Sequence, residues 1–333
     1  MRAQAGLLAI ALAFLAGCEQ VADDLLGDKP APKPDFVGPM PRWISWNPQE
    51  TAIAYEQGGL LIVARDGILA NALPITGVGN YRHPSWSPDG RHIVHDYSPD
   101  RFHPANLWVR PVEEKAVPRR LTEGRVLDFM PLWSADGRWV AFHSRRSPAD
   151  HVWVIPAEGG TARPVGPALA NERSLAWSPG DARLAYEALG ARSPDIWIAD
   201  VDMGSTRHFV GTDASDAHPL WTPDGTAVGF LSLAHKGWNV WVQPDASDAT
   251  PRQITTLGGV VHFEWLSGGA AILFLTGDGA LYAQPVAEGS TPSYVRQAAD
   301  FAVARSGKRY VYVEYEEPTY RVRVDTVPAA LLP

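Results

Sequence analysis

The sequence predicts an all-β chain: a β-propeller of about seven four-stranded blades, with six as the alternative count, behind a cleaved N-terminal signal and a tether. Three observations predict it. Trp46, Trp86, Trp133, Trp177, Trp221 and Trp265 recur at intervals of 40, 47, 44, 44 and 44 residues. Each opens a turn phrase, fullest in Trp86-Ser87-Pro88-Asp89-Gly90. The segments after the turns alternate apolar and polar residues, which is the period of strands and not of helices. Four short strands per unit at this spacing mark a propeller blade.

In chain order, residues 1–17 come first. They hold one charge, Arg2, and an apolar run from Leu7 to Ala16. A basic start, a short apolar core and small residues before a cut site make a secretory signal, too short to span a bilayer. Its ending, Leu15-Ala16-Gly17-Cys18, resembles the lipobox of bacterial lipoproteins. That resemblance implies a thioether-linked lipid on Cys18, cleavage before it, and acylation (palmitate) of the new N-terminus. Two or more acyl chains anchor a protein durably. By the same resemblance, Glu19 in place of an Asp favours the outer membrane, with the domain facing the periplasm. Cys18 is the only cysteine, so the mature chain has no internal disulfide and depends on packing.

Residues 18–41 form the tether. Asp23, Asp24, Asp28, Lys29, Pro30, Pro32, Lys33 and Pro34 crowd it, and such a composition buries little and stays extended.

Residues 42–327 form the propeller. Blade two reads His83-Pro84-Ser85-Trp86, blade three Met130-Pro131-Leu132-Trp133 and blade five His218-Pro219-Leu220-Trp221. Blades one, four and six are more degenerate, and a seventh copy aligns at Val303 without its Trp. Ser, Pro and Gly at positions one, two and four of the turn suit a type I turn. About twenty residues on comes a second aromatic slot, filled by Trp108, Trp153, Trp197 and Trp241, with Tyr282 in blade six. A short fourth strand follows, as in Arg120-Leu121-Thr122. Ten of the 13 Trp occupy the two slots, where large rings fill the wedges between blades, each burying roughly 150–250 Å². Blade seven has no clear fourth strand at its C-terminal side. The spare segment near Asp35-Phe36-Val37 is expected to pair there, since an open sheet edge is a liability.

The phrases His-Pro-x-Trp-Ser-Pro-Asp-Gly and Asn/Asp-Ile/Val-Trp-Val resemble the propeller repeats of the TolB family over roughly residues 42–325. Related repeats occur in prolyl-oligopeptidase-type propellers and in oligogalacturonate lyases. The resemblance implies the fold and a place in the cell envelope. Members of that family carry an α/β domain before a six-bladed propeller, whereas this chain has a tether and counts seven units.

The formal net charge of −8 argues against nucleic acid and against an electrostatic grip on anionic lipid. Gly-x-Ser-x-Gly, His-Glu-x-x-His and phosphate-loop motifs do not occur. Three residues before each slot stand Trp43, His83, Met130, Ser174, His218, His262 and Asp300. If these converge on the axial channel, His83, His218, His262 and Asp300 are candidate ligand-binding residues. Imidazoles with a carboxylate suit Zn²⁺ or Mn²⁺. The plainer reading is that His before Pro bonds within its own blade. No catalytic residue is assigned, no metal ligand is assigned, and no cofactor is implied. Trp238, outside both slots in a loop, is the candidate contact residue. The expected function is a membrane-anchored, monomeric envelope scaffold that binds a partner protein or cell-envelope polymer. The alternative is a metal-dependent glycan-active lyase or hydrolase using the channel.

Overall fold

The computed structural model describes residues 40 and 42–328, apart from 66–72, 75–78, 101, 114–116, 148–149, 167–171, 190–191, 247–248 and 318. The signal, Cys18, nearly all of the tether and the expected closing strand at 35–37 lie outside the described residues.

Among the described residues, twenty-seven strands form seven separate antiparallel sheets. Six sheets have four strands in chain order from the axis outward, and the seventh has three, Asp300–Val303, Arg309–Glu316 and Thr319–Thr326. The propeller therefore has seven blades. Blade two shows the pattern: inner strand Asn80–Trp86, then His92–Ser98, Asn106–Pro111 and the outer Arg119–Arg120. None of the described helices is long and apolar enough to cross a membrane.

The turn phrase folds as its composition dictates. Gly90 N–H donates to the Ser87 carbonyl at 2.9 Å. Ser87 Oγ donates to Asp89 Oδ1, which also accepts from Arg91 N–H, and His92 N–H donates to Ser87 Oγ. The set recurs at Ser134, Asp136, Arg138 and Trp139, and again at Thr222, Asp224, Thr226 and Ala227. These aspartates are turn residues, engaged with their own backbone.

The apolar core is divided into seven clusters, one between each pair of neighbouring blades. The cluster of Ile53, Tyr55, Ala302, Val311 and Val322 joins blade one to blade seven and closes the ring. The slot tryptophans fill wedges as expected, and they also stitch. Trp46 Nε1 donates to the carbonyl of Ala302, Trp86 to Ser45, Trp177 to Leu132 and Trp265 to Leu220, at 3.0–3.2 Å. Each acceptor directly precedes the slot position of the previous blade.

Gly229 shows how tight these wedges are. A Cβ there would lie 2.6 Å from Trp265 Cζ2 and about 3 Å from the Phe263 ring. Both rings are buried and the indole is pinned by its bond to Leu220, so neither yields easily. Gly229→Ala is expected to destabilise the fold by about 1–3 kcal/mol, as overpacking does. Urea unfolding checks this, and an unchanged midpoint would contradict it.

Candidate functional site

Five of the seven residues three before the slot adopt the left-handed backbone region: Trp43 (φ 53°), His83 (50°), Met130 (51°), Ser174 (45°) and His218 (51°). Side chains rarely accept this conformation, at a cost on the order of 1–3 kcal/mol each. The register explains it. In blade two, Arg82 pairs with Asp96 while Ser85 pairs with Val94, so the inner strand carries one extra residue, a β-bulge. Blades one, three, four and five slip at the same place. In blades two, three and five a Pro follows the strained residue; it has no N–H for the ladder and is tolerated at bulges. Blade six slips near His262 without a positive φ, and blade seven pairs regularly at Asp300.

The bulges aim their side chains at the axis. Trp43, His83, Met130, Ser174, His218 and His262 line one cavity of about 510 Å³, with His143 and Glu264. Three of the four candidate channel residues, His83, His218 and His262, thus lie on it. Asp300 does not line it but is close enough for its charge to act on His262. Trp238 is not at the surface: it is 7% exposed and packs with Val240, Val260 and Phe263 between blades five and six. Its loop folds back over the wedge, which makes it a core residue instead of a contact residue.

Each bulge needs its backbone satisfied. Asp96 Oδ2 accepts from the N–H of Met130, the strained residue of the next blade, at 3.2 Å and from His83 Nδ1 at 2.5 Å. Glu187 likewise accepts from the His218 N–H. These acids stand ten residues after the slot, opposite an arginine four before it: Arg42 with Glu56, Arg82 with Asp96, Arg173 with Glu187. Where the acid is replaced, so is the arginine. Blade three pairs Phe129 with His143, their rings 5.4 Å apart, and blade five pairs Ala217 with Leu231.

The imidazoles differ in their surroundings. His83 binds Asp96 of its own blade, packs against Trp43 with ring centroids 4.0 Å apart and planes inclined at 44°, and leaves a buried Nε2 without a protein partner. The plainer reading of His before Pro therefore describes this residue well. Burial, with the neighbouring His262, lowers the His218 ring to about 4. His262 Nε2 meets Glu264 Oε1 at 3.3 Å. Burial opposes its charge, but the Glu264 bond and the charges of Glu264 and Asp300 outweigh this and raise it. Burial also lifts the Asp300 carboxyl to about 6, against the pull of His262 and of the Phe301 N–H.

Glu264 was not singled out in the sequence. It accepts from Val303 N–H at 2.8 Å and lines the cavities at both ends of the channel. An acid directly before the slot, where other blades carry Ser85, Leu132 or Leu220, was the available signal. A metal does not fit this set. Among the described residues no three His, Cys, Asp or Glu side chains converge on one point, and the free edge of His262 is already directed at Glu264.

No family model matches the sequence. The fold is similar to that of an oligogalacturonate lyase in complex with manganese, at 12% identity over 88% of this chain and 91% of that one, with a TM-score of 0.69. An oligogalacturonate lyase of Vibrio parahaemolyticus is similar at 10% identity, covering 89% and 92%, TM-score 0.69. TolB of Acinetobacter baumannii is similar at 15% identity, covering 79% of this chain and 65% of that one, TM-score 0.55. At these identities the likeness shows the fold, a TolB-like propeller, and nothing finer.

Burial raises Glu187 to about 7, against Arg173 and the bonds from His218 and Ser174. Its folded state thus holds a proton that the unfolded chain releases near pH 4.3. Whatever this group adds to stability is present below that value and is lost as pH rises through 7. Glu187→Gln is expected to be more stable than the parent at pH 8 by about 1–3 kcal/mol, with little difference at pH 4. Urea unfolding at both values tests it; an equal gain at both would contradict the assignment.

Proposed function

We propose that this protein is a lipid-anchored envelope scaffold that receives its partner on the face where the bulges open. The strands alternate in direction, so the Ser-Pro-Asp-Gly turns and the loops after the third strands share one face of the disc. The links between blades and the loops after the second strands share the other, the bulge face. On the turn face the charges are satisfied from within: Arg138 with Asp136 and Asp202, Arg183 with Asp181 and Asp245, Arg207 with Asp245.

The bulge face carries internal ion pairs too, Arg145 with Asp150 and Arg323 with Glu314 and Glu316; it differs in its centre and in the apolar rim around it, and this carries the reading. Its centre is the cavity lined by Trp43, Met130 and the histidines. Around it, loops of blades two, four and seven and the link from five to six hold out Phe102 (79% exposed), Leu189, Tyr315 and Leu257. Exposed apolar groups around a concave, mostly apolar centre are what a protein or polymer ligand uses. The turn face exposes Val117 and Met203 on its outer loops. Anchoring through Cys18 rests on the lipobox resemblance.

A second reading has one observation in its favour. His218, His262 and Asp300 stand on three successive blades of a fold shared with oligogalacturonate lyases, which fits a glycan-active lyase or hydrolase. The side chains do not gather for a metal, so no step through one is derived.

A photo-crosslinking residue placed at Phe102, Leu189 or Leu257 is expected to capture the same partner in intact cells, while one at Val117 or Met203 captures none. Capture from the turn face alone, or equally from both faces, would overturn the scaffold reading. Release of unsaturated sugar ends from oligogalacturonate by the purified protein, lost in His218→Ala, would favour the enzyme.

A further inference from the structure

The ion pairs of the turn face leave out Arg305, at its centre. The second residue after each slot contributes to a ring around the turn-face mouth of the channel. Six blades place an uncharged residue there: Pro48, Pro88, Ala135, Pro179, Pro223 and Ser267. Blade seven places Arg305. Its side chain is exposed and makes no hydrogen bond, ion pair or ring contact with a described residue. Proline serves this position by fixing φ for the turn. The turn gains nothing from the arginine.

A second departure from the repeat holds that turn in place. Four residues after the slot, the full phrase has glycine in the left-handed region, as at Gly90 (φ 70°) and Gly307 (φ 67°). Blade one has Glu50 there, at φ 58°, a costly conformation for a side chain. Its carboxylate crosses the ring closure and accepts from both the N–H and the hydroxyl of Ser306, while its carbonyl accepts from Arg309. The acid that reaches this turn is therefore committed to Ser306. It fixes the backbone beside Arg305 and leaves the guanidinium unneutralised.

Arg305 lines a cavity of about 380 Å³ together with Trp46, Trp133, Pro88 and Glu264. Arg305 and Glu264 are the only charged residues in its wall, and they are not paired with each other. Glu264 is pinned by the N–H of Val303, two residues before Arg305, and by His262. A cavity of this size suits a small molecule. An anion alone would be repelled by the Glu264 carboxylate, and a cation alone by the Arg305 guanidinium. A ligand carrying both charges meets neither obstacle. The planar guanidinium suits a carboxylate, and the Glu264 oxygens keep lone pairs for an ammonium. Indole and proline surfaces complete the wall for an aliphatic group.

We infer that the turn-face mouth binds a small zwitterion, its carboxylate on Arg305, its ammonium on Glu264 and its apolar part against Trp46 and Trp133. A free amino acid and a short peptide share this chemistry. The site lies on the face opposite the proposed partner surface and does not rest on the scaffold reading.

Calorimetric titration of the full chain with L-leucine and with leucyl-leucine is the test. At least one is expected to bind; the tighter of the two assigns the site to a free amino acid or to a short peptide. Isocaproate, which lacks the amine, and isoamylamine, which lacks the carboxylate, are expected to bind at least about tenfold more weakly. Arg305→Ala removes an exposed side chain, so its melting temperature is expected to match the parent's while its affinity falls about 10–100-fold. Glu264→Gln keeps an acceptor for Val303 and is expected to weaken leucine binding but not isocaproate binding. Arg91→Ala, on the same face outside the cavity, leaves affinity unchanged. Absence of binding by both zwitterions would overturn the site, as would binding that survives Arg305→Ala. Isocaproate binding as tightly as leucine would overturn the role of Glu264 and with it the zwitterion. None of these outcomes bears on the bulge-face crosslinks.

Discussion

In four blades a bond from the slot indole to the backbone of the preceding blade ties neighbouring sheets together. A sheet of four short strands cannot bury both faces alone, and a propeller solves this by leaning each sheet on its neighbour. A large flat ring fills the wedge that leaning leaves, and its N–H needs an acceptor once buried. Trp133 donates to Gly137 of its own blade, but in four of the six blades with a slot Trp the preceding blade offers a carbonyl directly before its own slot. Such a bond contributes only about 0.5–1.5 kcal/mol, but it sets how far one blade is rotated against the next. Trp46 makes it across the ends of the chain, to Ala302, so the interaction that spaces the blades also closes the ring.

A second constraint sits three residues upstream. The inner strands converge on the axis and must bend, and a bulge supplies the bend at the cost of a left-handed residue in five blades. Such strain persists only where its surroundings over-determine it. Here the cross-strand arginine and acid pairs do so in blades one, two and four, and Asp96 and Glu187 reach on to the backbone of the following bulge. The polar groups around the channel are therefore largely scaffolding. What they leave over is an uneven mouth, with indole, thioether and a paired imidazole on one side and His218, His262, Glu264 and Asp300 on the other.

That unevenness bears on function more than the fold does. A propeller disc hosts many activities, so the reading has to come from surfaces. Self-paired charges occur on both faces, and exposed apolar side chains surround the channel on the bulge face. The two faces differ because one is made of tight turns with little freedom in sequence, and the other of links whose length and composition vary from blade to blade.

The repeat, the turns, the two aromatic slots and the count of seven were legible in the sequence, because each is a local pattern of residues within one blade. The residues three before the slot lie within the innermost strand, which is why His83, His218 and His262 line the channel cavity. Cross-blade relations were not legible. Trp238 looks like a loop residue beside Gly237, and only the neighbouring blade makes it core. The pairing of Arg42, Arg82 and Arg173 with acids 14 residues later is written in the chain, but the bulge that gives it meaning appears only in the register. Glu264 and the carbonyls that receive the indoles belong to the same class. Periodicity records what a blade does by itself; the angle at which blades meet, and hence which groups share a wedge or the channel, is settled by side-chain packing between segments some 40 residues apart.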